Sequence, residues 1–399
     1  MAPRVILLGA TGYTGRLVAD SLIEIGERPV LAGRSASRLS SLADSLGGLD
    51  TVVADVGRPG SVKDIVTEGD VLVSTVGPFT LYGNVALDAA LAVGAHYVDS
   101  TGEPAFIRKV FFDAGPVARE LGVTLLTSFG VDWVPGNIAG AIAATNAGPD
   151  ARSLDIGYLI EPTAKSGGAE AGGATGASGT RKRHGPVIST GTRASLIAAS
   201  AAPQHARRHR SLVLEPASRH VRSFRVNGVT KWGISVGGSE PLSLTRLYPG
   251  LDEIGVYLAS PVPVRLAQGF ALGFSVALGA LDHLPPGRRA IEGLVRAAAK
   301  KTGGGPSPDA RALAGTQVVA VCRDAAGRPI CGVSLQGDVD GYTLSGRTLA
   351  WGAASLLSGR QLASGALGPV EAFGIDECVS AVARAGLIAT DLDKSDLLT

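Results

Sequence analysis

The chain opens with a run of apolar residues, Val5-Ile6-Leu7-Leu8, that gives way to three glycines spaced by three, Gly9, Gly12 and Gly15. From Leu17 to Ile25 the apolar positions recur with helical spacing. Further apolar runs at Pro29–Ala32, Thr51–Ala54, Val71–Ser74, His96–Val98 and Val123–Thr127 alternate with helical patterns at Ser37–Leu46, Val62–Val66, Val85–Val93 and Ala105–Leu121. Short buried strands separated by helices predict an α/β domain: a doubly wound parallel sheet of Rossmann type over residues 1–130.

Beyond residue 130 the texture changes. Phe129–Gly136 is a turn-rich crossing, and Ile138–Thr145 reads as a helix. Longer strand runs follow at Asp155–Ile160, Val221–Val226, Gly255–Leu258, Gln317–Arg323 and Ile330–Gln336. They predict a second, α+β domain over 131–345, built on a mixed or antiparallel sheet, with a Gly-, Ala- and Ser-dense insert at 166–179. Thr343–Leu357 and Glu371–Ala385 read as helices, and the segment 346–399 is expected to return to the first domain.

Leu266–Leu281 carries no charge and is bounded by Arg265 and Asp282. It is short for a bilayer crossing. It reads either as a buried or interface helix, or as a surface helix that touches a membrane or an apolar substrate. A leader peptide finds no room before a strand that begins at Arg4, so a cytoplasmic protein is expected, with peripheral membrane contact as the alternative.

Charge sharpens the picture locally. The 399 residues sum to a formal +2, which favours neither nucleic acid nor membrane globally. Yet Arg181–Lys231 holds eleven basic residues and a single acid, Glu215. This run reads as a solvated loop or as a dock for an acidic partner, such as an acyl carrier protein, a CoA phosphate or anionic lipid. Phe224 is the one Phe, Tyr or Trp among these arginines, which argues against nucleic acid. Of three cysteines, Cys322 and Cys331 flank a turn and would face each other across a hairpin, as reduced thiols or as a redox pair. No zinc-ligand spacing is present.

The chemistry sits at the start. A strand, a glycine turn and a helix N-terminus form an anion site, where backbone N–H groups and the helix dipole meet a phosphate. Proteins that bind NAD usually carry an acid at the end of the next strand; here Arg34 stands there, with Arg38 one turn on. A guanidinium suits a 2′-phosphate, so the pattern predicts NADP(H). Val73–Phe79 follows the fourth strand and should lie over the nicotinamide. Tyr82, Asp99, Ser100, Thr101, Glu103 and Asp132 gather near the edge that lines the ligand crevice. Tyr82, Asp99, Thr101, Glu103 and Asp132 are candidates for orienting a substrate or passing a proton, and each also reads as a cap or turn residue. Gly233–Gly237 matches a hydrolase nucleophile elbow, but Gly238-Ser239-Glu240-Pro241 reads as turn where that motif needs a helix. No tyrosine is followed four residues on by lysine, so the acid–base pair of short-chain dehydrogenases is missing.

These residues resemble the saccharopine dehydrogenase-like oxidoreductases. The likeness is carried by Gly9–Arg16, Ala32–Ser35, Gly77-Pro78-Phe79 with Tyr82-Gly83, and Gly94–Glu103. It thins through Gly130–Pro135, Ser239-Glu240, Gly305–Ser307 and Gly341-Tyr342. The resemblance implies a Rossmann domain, a mixed second domain and NADP(H). It places nucleotide contacts at Gly9, Thr11, Gly12, Tyr13, Thr14, Gly15, Arg34, Ser35, Arg38, Gly77, Pro78 and Tyr82. Asn84 stands where the family pattern has an acid. The family includes saccharopine reductases and trans-acting enoyl reductases of lipid synthesis. The reading is an NADP(H)-dependent reductase acting on an activated C=C bond of an acyl thioester. Imine or amine chemistry, with Arg193 holding a carboxylate, and a non-catalytic NADP-binding scaffold at lipid surfaces are the alternatives. The substrate, the direction of reaction and the oligomeric state stay open, a homodimer among the options.

Overall fold

The computed structural model describes residues 2–162, 189, 192, 194, 195, 198, 199, 202–259, 264–282, 285–300 and 304–397. The 166–179 insert and the basic residues Arg181, Lys182, Arg183 and Arg193 lie outside these. Six strands form in the first domain: β1 (Val5–Leu8), β2 (Val30–Gly33), β3 (Thr51–Val53), β4 (Val71–Ser74), β5 (His96–Asp99) and β6 (Thr124–Leu126). The second region supplies β7 (Ser153–Pro162), β8 (Gln204–Arg208), β9 (Ser211–Glu215), β10 (Val221–Val226), β11 (Val229–Ser235), β12 (Glu253–Ala259), β13 (Ala314–Arg323) and β14 (Pro329–Gly337). The C-terminal segment adds β15 (Gly365–Ala366) and β16 (Ile388–Asp391).

The first sheet runs β15-β6-β5-β4-β1-β2-β3 with every pairing parallel. β1, β2 and β4 are buried along their whole length, because helices cover both faces. The second sheet runs β10-β11-β12-β7-β13-β14-β16, with the β8–β9 hairpin joined to β12. Only β12 and β7 pair parallel, so it is mixed. One apolar core runs through both sheets.

Three local departures from the sequence pattern have plain causes. The Ala105–Leu121 pattern forms Pro104–Lys109 and Gly115–Glu120 joined by a π-turn at Val110–Ala114. Pro116 has no N–H for the carbonyl four residues back, so the ladder widens there. The Glu371–Ala385 pattern breaks into Pro369–Phe373 and Ile375–Ala385 at Gly374, whose φ of 78° is left-handed. Glu240–Leu247 is a helix where a turn was expected.

The C-terminal segment does not divide at residue 346, because one helix spans Gly341–Leu357. It lies against the Tyr13–Glu24 helix so closely that a Cβ at Gly346 would sit 2.9 Å from the Leu17 carbonyl oxygen. Beyond it, β15 extends the first sheet and β16 the second.

Folding also spends most of the described part of the basic run. Arg208 pairs with Glu215 and Glu253, Arg210 with Asp252, Arg222 with Asp155, and Arg225 with Asp396. Arg207 is buried and donates to the carbonyls of Leu251 and Pro249. Acids neutralise four of these arginines and backbone carbonyls hold Arg207, so the described part of the run is not an open dock for an acidic partner. Cys322 and Cys331 stand opposite each other in the β13–β14 register, both as free thiols.

Candidate active site

The phosphate cradle is built by sterics. Gly9 has φ of +89°, and a Cβ there would lie 2.7 Å from Thr75 Oγ1. A Cβ at Gly15 would lie 2.2 Å from the Gly9 carbonyl oxygen, so only glycine lets the helix start against β1. Gly12 caps the Tyr13–Glu24 helix without a side-chain bond. The first-turn N–H groups therefore face outward with no partner inside the helix. Arg34 and Arg38 are exposed at the end of β2, and neither has an ion-pair partner among the described residues. Ser35 caps the Ala36–Ser45 helix by accepting the Arg38 N–H. An open glycine cradle beside two uncommitted guanidiniums fits a dinucleotide with a 2′-phosphate.

Tyr13 behaves differently from its neighbours. Its hydroxyl donates to the Pro306 carbonyl at 2.7 Å, and its ring stands edge-on to Tyr342 at 5.0 Å. A Cβ at Gly305 would lie inside the Tyr13 ring contact, 2.4 Å away. Tyr13 thus holds the Gly305–Ser307 segment beside the cradle, and its hydroxyl is already committed.

The cis Gly77-Pro78 bond leads into the Phe79–Val93 helix. Glu103 is fully buried and holds that helix start. Its Oε1 accepts the Phe79 N–H at 2.8 Å and the Ser195 hydroxyl at 2.7 Å. Its Oε2 accepts the Thr80 N–H at 2.8 Å and the Thr80 hydroxyl at 2.7 Å. A carboxylate spent on four donors at a helix N-terminus is a cap, not a proton carrier. Thr101 is likewise used up: its hydroxyl accepts the Glu103 N–H. Asp99 accepts the N–H groups of Thr101 and Ser128 and the Thr127 hydroxyl, which ties the ends of β5 and β6 together. Burial raises its carboxyl to about 6 against those donors. The geometry gives Asp99, Thr101 and Glu103 a holding role instead of the proton-transfer role considered for them.

A cleft of about 580 Å³ lies between the two sheets. Thr14, Ser100 and Asp132 line its nucleotide side, and Leu159, Leu258 and Leu313 its far wall. Asp132 alone of the five catalytic candidates lines it; Tyr82 sits half-buried in the first turn of its helix. Asp132 lies on the cleft floor, open to solvent but walled by protein, and has no hydrogen-bond partner among the described residues. Desolvation raises its carboxyl to about 6. A second cavity, of about 630 Å³, is ringed by the paired charges Arg208, Glu215, Arg222 and Glu253, away from the cradle.

The structure adds two residues that were not singled out. Tyr158, in the cleft wall, donates to Glu240 Oε1 at 2.8 Å and accepts the Gly136 N–H at 3.0 Å. Glu240 is fully buried, its Oε2 has no partner, and burial pushes its carboxyl up to about 8. The slot is glycine-lined: a Cβ at Gly136 would lie 2.2 Å from the Tyr158 hydroxyl, and one at Gly238 2.1 Å from Glu240 Oε2. The negative charge of Asp132 raises both groups further. The only sequence signal was the Ser239-Glu240 pair within the family likeness. Asn84 accepts from Lys109 Nζ at 2.7 Å. Ser235 of the elbow-like motif is buried, and its hydroxyl is engaged by Gln204 and by the His220 N–H, so the helix after it creates no nucleophile.

Comparison with known proteins agrees with this geometry. Residues 5–126 match the family model described as the saccharopine dehydrogenase NADP binding domain. The N-terminal domain is therefore an NADP-binding domain of that type, as the Arg34 pattern predicted. A trans-acting enoyl reductase of Mycobacterium ulcerans is 34% identical over 140 residues, and that of Mycobacterium leprae is equally similar. The match spans about a third of this chain and about a third of each relative (34% in both cases). Apo saccharopine dehydrogenase (L-Glu forming) from Saccharomyces cerevisiae superposes over 98% of this chain and 100% of its own, with a TM-score of 0.56 at 13% identity. That likeness shows a shared fold.

Proposed function

We propose that this chain is an NADP(H)-dependent oxidoreductase that reduces an activated C=C bond of an acyl thioester. The observation that carries the reading is the leucine-walled cleft at the C-terminal edge of the first sheet, with Asp132 on its floor. An acyl chain is a natural occupant of such a wall. The 34% identity of the nucleotide domain to proteins named trans-acting enoyl reductase supports the choice.

Gly9, Gly12, Gly15 and the first turn of the Tyr13–Glu24 helix would hold the pyrophosphate, and Arg34 with Arg38 the 2′-phosphate. The nicotinamide, when bound, supplies the hydride that reaches the β-carbon of the substrate. Glu103 fixes the Gly77-Pro78 turn by holding the helix behind it. Asp132, protonated, gives its proton to the α-carbon as the enolate collapses. Tyr158, backed by Glu240, holds the substrate side of the cleft in register with Asp132.

The saccharopine-type alternative has one specific support. Arg311 lines the cleft, its guanidinium held by a bond to Thr343 Oγ1, and would offer a positive charge to a substrate carboxylate. Arg193, the residue first considered for that role, lies outside the described residues. As to the carrier, an acidic acyl carrier protein finds little in the internally paired Arg207–Arg225 run, whereas the apolar Val264–Asp282 helix offers a lipid-side approach.

The test is NADPH oxidation by the pure protein with an enoyl-thioester panel, beside a panel of 2-oxo acids with amines. Turnover on thioesters alone is expected. Turnover only on oxo acid with amine would transfer the protein to the alternative reading.

A further inference from the structure

The Val264–Asp282 helix presents an outer face on which the described side chains are apolar. Phe270 is 82% exposed, Phe274, one turn on, is 54% exposed, and Val276 is 51% exposed. Gly269, Gly273, Ala277 and Ala280 fill the rest of that face. Soluble surfaces scatter single apolar residues but rarely set two exposed phenylalanines on adjacent turns. The inner face is spoken for: Leu278 packs with Ile291 and Val295 of the neighbouring Pro285–Lys300 helix. That helix exposes Arg288, Arg289 and Arg296; Arg288 and Arg296 share the single acid Glu292, which leaves the helix a surplus of positive charge, and Arg289 has no ion-pair partner among the described residues. Among the described residues no helix is long and apolar enough to cross a membrane.

We propose that this helical pair lies on an anionic membrane surface, with Phe270 and Phe274 among the acyl chains and Arg288, Arg289 and Arg296 on the lipid phosphates. Charge decides between occupants. An interfacial helix pair joins an apolar face to a basic flank, which is the composition found here. A second copy packed across a two-fold on the same face would bring the arginine flanks of both copies together, with three arginines to one acid on each. The placement also has a use. The same cluster that holds Leu278 takes in Leu81, on the helix that starts after the Gly77-Pro78 turn. A lipid-seated face is thus one helix away from the predicted nicotinamide position. The proposal goes beyond the reductase reading and does not depend on it, since surface binding needs neither NADPH nor substrate.

The experiment is co-sedimentation of the full chain with phosphatidylglycerol–phosphatidylcholine vesicles and with pure phosphatidylcholine vesicles. Binding should favour the anionic vesicles. It should drop about tenfold or more in Phe270→Ser/Phe274→Ser and in Arg288→Glu/Arg289→Glu. Both variants should keep the wild-type far-UV circular dichroism and NADPH affinity, since all four side chains are on the surface. Failure to bind anionic vesicles, or equal binding by wild type and variants, would overturn the proposal. So would a wild-type dimer in light scattering that Phe270→Ser/Phe274→Ser makes monomeric without any vesicle binding. Loss of vesicle binding with intact thioester turnover, or the reverse, separates this inference from the reductase reading.

Discussion

Tyr158 donates its hydroxyl to Glu240 at 2.8 Å inside a slot that two glycines keep open. The other oxygen of Glu240 has no partner, so burial holds the carboxyl protonated, with its pKa pushed from the usual 4.5 up to about 8. A native state that keeps a proton the unfolded chain releases is favoured at low pH. This contribution is fully present below pH about 4.5 and is lost as pH rises toward about 8. Glu240→Gln should flatten that slope in Tm measured across the same range, while keeping the Tyr158 bond. An unchanged slope would show that Glu240 ionises normally.

Asp132 should behave as an acid whose protonated form is active. With its carboxyl raised to about 6, kcat/KM for reduction should fall as pH rises above that value. Asp132→Asn should lower kcat on the order of a hundredfold and leave NADPH affinity intact. Equal loss of affinity and rate would make Asp132 a structural residue.

Glu103→Ala would leave two helix N–H groups and two hydroxyls without their acceptor in a buried place. The cost should be about 2–4 kcal/mol in chemical denaturation, well above that of a surface change. Wild-type stability together with abolished turnover would instead mark Glu103 as catalytic.

Arg34→Ala should weaken NADPH binding roughly tenfold to a hundredfold and leave NADH binding nearly unchanged, read by nicotinamide fluorescence. Equal weakening of both would remove the 2′-phosphate assignment.

The nucleotide half was legible because its signals are local. Four buried residues, three glycines and an arginine at fixed spacings report on one βαβ unit whatever the rest of the chain does. The second half was legible where β-branched and apolar residues dominate a strand, as at the centre of β13, and in β10 despite Arg222 and Arg225. β8 and β9 carry Arg207 and Arg208, whose partners Leu251, Pro249 and Glu253 are some forty residues away, and Glu215, which pairs with Arg208, so their alternation is masked by charge. The same long-range pairing turned an apparent basic dock into an internal network. Asp99, Thr101 and Glu103 lie at and just after the end of β5, fully buried and outside the cleft lining. Which of them is spent on backbone donors depends on β6 and on the Phe79–Val93 helix, and no local pattern carries that. Glu240 and Tyr158 escaped notice because a buried acid is identified by its surroundings, and the glycines that make its slot are about a hundred residues apart.

The most direct test follows the hydride itself. The protein would be given an enoyl thioester and NADPH carrying deuterium at the transferable C4 position, and the product examined by mass spectrometry. One deuterium on the β-carbon of a saturated thioester is the predicted result. Deuterium delivered only to the carbon of an imine, or NADPH that binds and is never oxidised by any thioester, would contradict the assignment.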